Sequence, residues 1–162
     1  MIAVRVAQVG IDPATNTPVV LLREIDGDRL LPILIGPAEA TAIAMELQGV
    51  KPPRPLTPDL VKRVIVGLGG ELRRVVIGDL RQETYFAELE LHRAGEVVRV
   101  DARPSDSIAV ALRLQAPIFL AESLFDRQPR PGPEGATPPD GADILRDYLE
   151  HLDPQDLGRF QP

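Results

Sequence analysis

Residues Arg29–Gln48, RLLPILIGPAEATAIAMELQ, decide the fold, because their pattern changes from that of a strand to that of a helix at Gly36-Pro37. Arg29–Ile35 is a short apolar run of the kind that forms a strand. Pro37 stands where a helix can begin, since its missing N–H costs nothing in the first turn. The following segment is dense in alanine, which allows close packing against a sheet. We therefore predict a strand that leads directly into a helix over Pro37–Gln48.

The same pattern returns 67 positions later, in Glu96–Gln115, EVVRVDARPSDSIAVALRLQ. Without a gap, this offset aligns Val4–Val50 with Glu71–Pro117 and gives nine identities in 47 positions. Chance would give about three at ordinary residue frequencies. Repeats of this kind decide the architecture of a chain, so we interpret the sequence as a duplicated unit of three strands and one helix.

The remaining elements follow from periodicity and turn residues. The predicted strands are Ile2–Ile11, Pro18–Ile25 and Arg29–Ile35 in the first unit, and Leu72–Leu80, Thr84–His92 and Glu96–Ala102 in the second. Helix Pro104–Gln115 closes the second unit, and an extra helix capped by Thr57-Pro58-Asp59 and ending near Leu68 connects the units. A last strand, Ile118–Leu120, and a helical turn, Glu122–Phe125, complete an α+β fold whose mixed β-sheet is built from two related β-β-β-α units.

Composition sets the domain organisation. The predicted domain covers residues 1–126. Residues 127–142 hold five prolines and three glycines and are predicted to be a linker. Apolar residues at helical spacing then predict a short amphipathic helix within 143–162.

Several classes of protein are excluded by composition. The chain has no cysteine, which excludes disulfides, thiol nucleophiles and cysteine-based metal sites. No stretch approaches the roughly 18 apolar residues of a membrane span, and the N-terminus has no basic segment followed by an apolar run. We therefore expect a cytoplasmic protein with no membrane partner.

The net charge of −6 disfavours nucleic acid as a partner, but its distribution is uneven. From Lys51 to Arg81 there are seven basic and three acidic residues. Mixed solvated faces are one interpretation of this surplus, and contacts to a phosphate backbone are the other. The candidate nucleic-acid-binding residues are Lys51, Arg54, Lys62, Arg63, Arg73 and Arg74.

At the junction between strand and helix, the two units differ in residue type at several equivalent positions, and the second unit has polar residues there. Asp101, Arg103 and Ser105 replace an apolar residue, a glycine and an alanine of the first unit. Strand alternation predicts that Asp101 lies beside Arg103, with Asp106 one turn into the helix. Carboxylates that hold a divalent metal, with an arginine that meets phosphate, would suit phosphodiester cleavage, with Asp101, Arg103 and Asp106 as catalytic residues. The alternative is structural, since an acidic residue in the first turn complements the helix dipole and Asp101 could simply pair with Arg103.

Three segments carry a resemblance to a known family: Leu31–Ala40 (LPILIGPAEA), Gly49–Thr57 (GVKPPRPLT) and Val100–Ala109 (VDARPSDSIA). In this order they closely resemble the bifunctional nuclease family, over roughly residues 1–126. The resemblance implies a compact α+β domain with DNase and RNase activity, often a homo-oligomer, with a dimer favoured here. Within these segments Glu39, Asp101 and Asp106 are candidate ligands for Mg²⁺ or Mn²⁺ or candidate general bases, and Arg103 a candidate phosphate contact.

Two hypotheses of different classes follow. The first is a nuclease that hydrolyses DNA and RNA, metal-assisted and of low sequence specificity. The second is a non-catalytic, oligomeric binding or scaffold module, which the acidic total favours. Phosphate binding would weaken steeply as salt rises, whereas association through apolar surface would not.

Overall fold

The first predicted unit is a meander of three strands followed by a helix. In the computed structural model, which describes residues 1–81 and 84–126, its strands are β1 Ile2–Asp12, β2 Thr17–Glu24 and β3 Leu30–Leu34. Helix α1, Pro37–Leu47, begins at the predicted proline. Both β1–β2 and β2–β3 pair in antiparallel fashion, which short connections allow.

Helix α2, Thr57–Gly67, connects the units as predicted. Its N-cap is Leu56, so Thr57 is already the first helical residue and does not cap the helix as expected. The carboxylate of Asp59 instead accepts a hydrogen bond of 2.9 Å from the backbone N–H of Leu56. Asp59 therefore supplies the side-chain partner at this helix start.

The second unit repeats the layout with strands β4 Glu71–Arg81, β5 Thr84–Arg93 and β6 Glu96–Ala102, followed by helix α3, Pro104–Leu114. The turn between β5 and β6 is formed by Ala94 and Gly95, whose φ values of 49° and 83° suit a two-residue hairpin. In both units the predicted strands and principal helices agree with the structure to within one residue at each end.

The two units join through the short strand β7, Ile118–Leu120, which helix α4, Ser123–Asp126, follows. The seven-stranded sheet has the order β3-β2-β1-β7-β4-β5-β6, so three residues at its centre bridge the two meanders. Strand β7 pairs antiparallel to β1 and parallel to β4. The fold is α+β with a mixed sheet, as the sequence predicts.

The ungapped offset of 67 is wrong by one or two residues where β1 is aligned with β4. Val9 pairs with Val20, whereas the counterpart of Val20, Ala87, pairs with Ile77 and not with Val76. Val9 and Ile77 are both buried, in agreement with their equivalence. Four residues, 13–16, separate β1 from β2, but only two, 82–83, separate β4 from β5, which shifts the alignment by two residues beside the turn. Bulges at different places in β1 and β4 reduce the shift to one residue at other positions.

A continuous core lies between the sheet and helices α1 and α3. The two helices lie side by side, since Glu39 and Arg103 meet at their first turns and Glu46 and Arg113 approach at their last. Fully enclosed side chains of the core include Val20, Leu22, Leu31, Ile43, Val75, Ile77, Ile108 and Leu120. Within the described ranges, no helix is long and apolar enough to cross a membrane. The predicted linker at 127–142 and the predicted helix within 143–162 lie outside the described residues.

Candidate functional site

The first turns of α1 and α3 meet at Arg103, the residue immediately before α3. Its Nε lies 2.8 Å from Asp106 Oδ2 and its Nη2 lies 3.2 Å from Asp106 Oδ1, so the pair is bidentate. The same Nη2 lies 2.7 Å from Glu39 Oε1 on α1. Hydrogen bonding to Asp106 and its charge, followed by the same effects of Glu39, raise the pKa of Arg103 above its usual value. The guanidinium is thus held between carboxylates of two helices.

Two polar groups of this cluster remain open to a ligand. The Arg103 side chain is 67% exposed, and its Nη1 has no hydrogen-bond partner within the described ranges. The Oε2 atom of Glu39 likewise has no hydrogen-bond partner there. The cluster therefore offers a hydrogen-bond donor and an acceptor side by side.

Gly36 makes room for the Glu39 carboxylate. Its backbone is extended, with φ of −78°, so the glycine is not needed for its conformational freedom. A methyl group added at Gly36 would instead collide with Glu39 Oε2. The absence of a side chain before α1 therefore lets Glu39 fold back over the first turn of its helix.

One cleft beside this cluster is lined by segments far apart in the sequence. It has a volume of about 250 Å³ and lies between the first turns of α1, α2 and α3. Glu39, Thr57 and Arg103 each contribute to its wall. These residues come from the three separate segments that carry the family resemblance, so the fold brings all three motifs to one place.

Asp101 is not part of the cluster. It lies on the edge strand β6, is exposed, and has no ion pair or hydrogen bond from its side chain within residues 1–81 and 84–126. No ion pair or hydrogen bond joins Asp101 to Arg103 in the described residues. Arg103 follows the end of the strand, and its guanidinium pairs with Asp106 and Glu39 instead.

The carboxylates do not form the predicted metal site. Arg103 pairs with both Glu39 and Asp106, and Asp101 takes no part in these ion pairs. No group of three acidic or histidine side chains with the spacing of metal ligands occurs in the part of the chain that the structure describes. A resident divalent ion at this cluster would have to displace a paired guanidinium, so the residues present do not fit it.

The six basic candidates separate into two groups. Lys51, Lys62 and Arg63 line one cleft of about 620 Å³ between the connector, α2 and the last turn of α3. Arg54 lies in the same connector and is exposed, without a side-chain partner in the described segments. Lys51, Arg54 and Arg63 are available to a ligand from the helical side of the protein, whereas Lys62 Nζ already donates a hydrogen bond of 2.7 Å to the carbonyl of Arg113.

The other two basic candidates lie on β4 and are already paired. Arg73 Nη1 lies 3.2 Å from Glu71 Oε1, and Arg74 Nη2 lies 2.9 Å from Glu90 Oε2. Hydrogen bonding to Arg74 is the largest influence on the pKa of Glu90, which lies below its usual value. Arg73 nevertheless lines a cleft of about 320 Å³ with Val66 of α2, and this cleft shares Leu114 and Gln115 with the cleft at Lys51.

Arg113, which is not among the residues predicted from the sequence, is a buried side chain that joins three helices. Its side chain is 3% exposed, and Nε lies 2.7 Å from Asp59 Oδ1 on α2. Nη1 donates to the carbonyl of Ala109 at 2.9 Å, and Nη2 donates to that of Ala42 on α1 at 3.1 Å. In the sequence, Arg113 is distinguished only as a charged residue within the apolar run Ile108–Leu114, and the repeat alignment pairs it with Glu46.

Asp59 completes this junction. Burial raises the pKa of Asp59, but hydrogen bonds from Arg113 and from the Leu56 N–H outweigh that effect, so the pKa lies below its usual value. The same carboxylate therefore caps α2 and neutralises the buried arginine. Because α2 also lines the cleft at Arg103, this junction fixes the geometry of the candidate site.

The chain is similar in sequence to a known domain family and to several known proteins. The profile of the bifunctional nuclease domain matches residues 20–131 of the chain. An uncharacterized protein of Mycobacterium tuberculosis is 43% identical over 161 residues, which cover 95% of this chain and 96% of that protein.

Two plant proteins match a smaller part of the chain. Bifunctional nuclease 2 of rice, Oryza sativa subsp. japonica, is 36% identical over 111 residues, or 66% of this chain and 34% of the rice protein. Bifunctional nuclease 1 of Arabidopsis thaliana is 34% identical over 116 residues, or 70% of this chain and 36% of the plant protein. With a profile match over most of its length and a full-length relative of this identity, the chain belongs to the bifunctional nuclease domain family.

Proposed function

We propose that this protein is a nuclease that hydrolyses phosphodiester bonds in DNA and RNA with low sequence specificity. One observation carries the proposal: three motif segments, distant in sequence, line a single cleft that contains an arginine and two carboxylates. Its membership of the bifunctional nuclease domain family supports this function. The cleft at Arg103 is the proposed active site.

Arg103 is the proposed contact to the phosphate. Its Nε and Nη2 are held by Asp106 and Glu39, so the unpaired Nη1 is presented in a fixed direction. Arginine suits phosphate because its planar fork donates charge-assisted hydrogen bonds to oxygen. A donor fixed in advance stabilises the charge that develops on the phosphate oxygens in the transition state.

Glu39 is the proposed general base. Its Oε1 pairs with Arg103, whereas Oε2 is without a hydrogen-bond partner among the described residues. Oε2 would take a proton from a water molecule as the water oxygen attacks phosphorus, and the leaving oxygen would take a proton from solvent. A water nucleophile needs no 2′-hydroxyl, so the same residues serve DNA and RNA.

The cluster of Glu39, Arg103 and Asp106 has a formal charge of −1, so it does not by itself attract a phosphate backbone. Lys51, Lys62 and Arg63 supply positive charge in the neighbouring cleft. From Thr57 at the first cleft to Arg63 at the second is about 9 Å along α2. One strand can therefore contact both clefts, and we propose that these basic residues hold its backbone.

The test is cleavage of labelled single- and double-stranded DNA and RNA by highly purified protein, with Mg²⁺, Mn²⁺ or EDTA. Dependence on a divalent ion stays a prediction that this assay decides. Arg103→Gln and Glu39→Gln are expected to lower the rate at least 100-fold, since one such donor or base contributes about that factor. Arg23→Gln removes another exposed arginine with a carboxylate partner, 42% exposed against 67% for Arg103, and should leave the rate unchanged. Full activity in folded Arg103→Gln would refute the proposed site.

A second candidate function, that of an assembly module, is favoured by one surface. Leu60, Val64 and Leu68 recur every four residues along α2 and its C-cap, and are 54%, 50% and 60% exposed. An apolar stripe of this kind is typical of a helix that packs against another chain. If Val64→Lys dissociates an oligomer in light scattering while wild-type protein cleaves no substrate under any condition, the assembly function replaces the nuclease.

A further inference from the structure

A second cavity is also bounded by Arg103. It has a volume of about 340 Å³ and lies between the end of β3, the start of β5 and the first residues of α3. Ile33, Ile35, Tyr85 and Ser105 contribute to its lining. Arg103 therefore belongs both to the cleft with the carboxylates and to this cavity.

The lining combines an apolar surface with an aromatic side chain. Ile33 and Ile35 are 3% and 8% exposed and belong to the hydrophobic core. Tyr85 is partly buried and packs against that core. Burial raises the pKa of the Tyr85 hydroxyl above its usual value of 10.0, so the group is a neutral hydrogen-bond donor at physiological pH. Such a surface suits a flat, aromatic ligand.

Two hydroxyl groups of the cavity are without partners. Ser105 is only 7% exposed, yet its hydroxyl has no hydrogen-bond partner in the described part of the chain. The Tyr85 hydroxyl also lacks one there. Among the described residues, the Ser107 hydroxyl is the one enclosed side-chain group without a hydrogen-bond partner, so the Ser105 hydroxyl is not enclosed. The hydroxyls of Ser105 and Tyr85 are therefore available to the polar edge of a ligand in the cavity.

We propose that this cavity binds one unpaired nucleobase of the strand whose phosphate contacts Arg103, a proposal that rests on the nuclease function above. A base has apolar faces for Ile33, Ile35 and Tyr85, and a hydrogen-bonding edge for Ser105. The volume lies at the small end of the range for small-molecule sites, about 300–1,000 Å³. A base within a duplex must leave its stack to enter such a cavity, so single strands are the preferred substrate.

The experiment is calorimetric titration of the full chain with each of the four ribonucleoside 5′-monophosphates and with ribose 5-phosphate. These probes share the sugar phosphate and differ only in the base. At least one nucleotide is expected to bind roughly 5- to 150-fold more tightly than ribose 5-phosphate, the contribution of one base stacked on an aromatic side chain. Tyr85→Leu is expected to abolish this difference, and Tyr85→Phe to keep most of it.

Tyrosine fluorescence locates the bound base. The chain has no tryptophan and two tyrosines, Tyr85 and Tyr148. In Tyr148→Phe, which should bind like wild type, Tyr85 is the sole fluorophore, and its emission should change on nucleotide binding after correction for absorption by the ligand. Circular dichroism confirms that each variant is folded, and Ser105→Ala offers a second, smaller perturbation that should weaken nucleotide binding alone.

The outcomes separate this proposal from the proposed function. Equal affinities for ribose 5-phosphate and all four nucleotides, or no measurable binding of any, would overturn the nucleobase site. A difference that survives in folded Tyr85→Leu would also overturn it. Cleavage without base-dependent binding would support the nuclease function and overturn the nucleobase site. Base-dependent binding without any cleavage would support the nucleobase site and overturn the nuclease function.

Discussion

Replacing Arg113 with methionine is expected to lower the free energy of unfolding by about 3–5 kcal/mol. The guanidinium is 3% exposed, and its removal leaves Asp59, which is 24% exposed, without a cation. Breaking a buried ion pair from one side costs about 3–5 kcal/mol, and the partial hydration of Asp59 reduces that cost. Each charge-assisted hydrogen bond lost to Ala42 and Ala109 costs about 1.5–3 kcal/mol, although both carbonyls keep their helical donors. The total is a large fraction of the roughly 5–15 kcal/mol that stabilises a domain.

Urea unfolding followed by circular dichroism measures this loss. Arg113→Lys keeps the charge but cannot contact Asp59 and both carbonyls at once, so an intermediate loss is expected. Arg23→Met, at an exposed ion pair, should change stability by less than about 0.5 kcal/mol. In a double-mutant cycle, adding Asp59→Asn to Arg113→Met should cost little more. A decrease in the free energy of unfolding of less than about 1 kcal/mol for Arg113→Met would refute the proposed role of Arg113 as an ion-pair link between helices. Additive losses in the double-mutant cycle would refute it as well.

Three further outcomes are expected. Gly36→Ala should lower cleavage as strongly as Glu39→Gln, because the added methyl group displaces the carboxylate; wild-type rates would contradict this. The pKa of Asp59 is lower in the folded protein than in the unfolded chain, where it is about 3.9, so ionised Asp59 stabilises the fold above that pH. This stabilisation is lost as the pH falls through the lower folded-state pKa. Urea unfolding should therefore show the gap between wild type and Asp59→Asn closing only below about pH 4. Replacing Lys51 and Arg63 with glutamine should make the plot of log binding constant against log salt concentration less steep by about 1.4 for single-stranded DNA. Fluorescence anisotropy measures this binding, and an unchanged slope would exclude phosphate contacts at these two residues.

The strands and helices of this fold can be predicted from the sequence because the local conformational preferences of the residues agree with the secondary structure that the tertiary fold requires. Pro37 and Pro104 each come within three residues of the end of a strand and begin the following helix, so the boundary between strand and helix carries its own chemical marker. The central position of β7 is different. Ile118–Leu120 is recognisable as a strand, but three residues hold no information about which strands they pair with. Sheet order depends on long-range pairing, which periodicity does not encode.

The candidate site was predictable in its residue types and not in its contacts. Arg103, Asp106 and Glu39 are recognisable as polar residues at helix starts, and the structure brings them together. Their pairing depends on α1 and α3 lying side by side, which no spacing within one helix reveals. Asp101 shows the limit of alternation as an argument, since the rule holds along a strand and fails where the chain turns into the next helix.

Equivalent positions of the two units hold Gly36 and Arg103, and this difference explains how a duplicated fold acquires one asymmetric cluster. Both units have an acidic residue three positions later, Glu39 and Asp106. Two glycines would leave these carboxylates facing each other without a cation, and two arginines would place like charges between α1 and α3 and fill the space that Glu39 occupies. One glycine and one arginine is the combination that holds both carboxylates around a single guanidinium. The activity proposed for this cluster therefore requires the two units to differ here, even where the rest of the repeat remains alike.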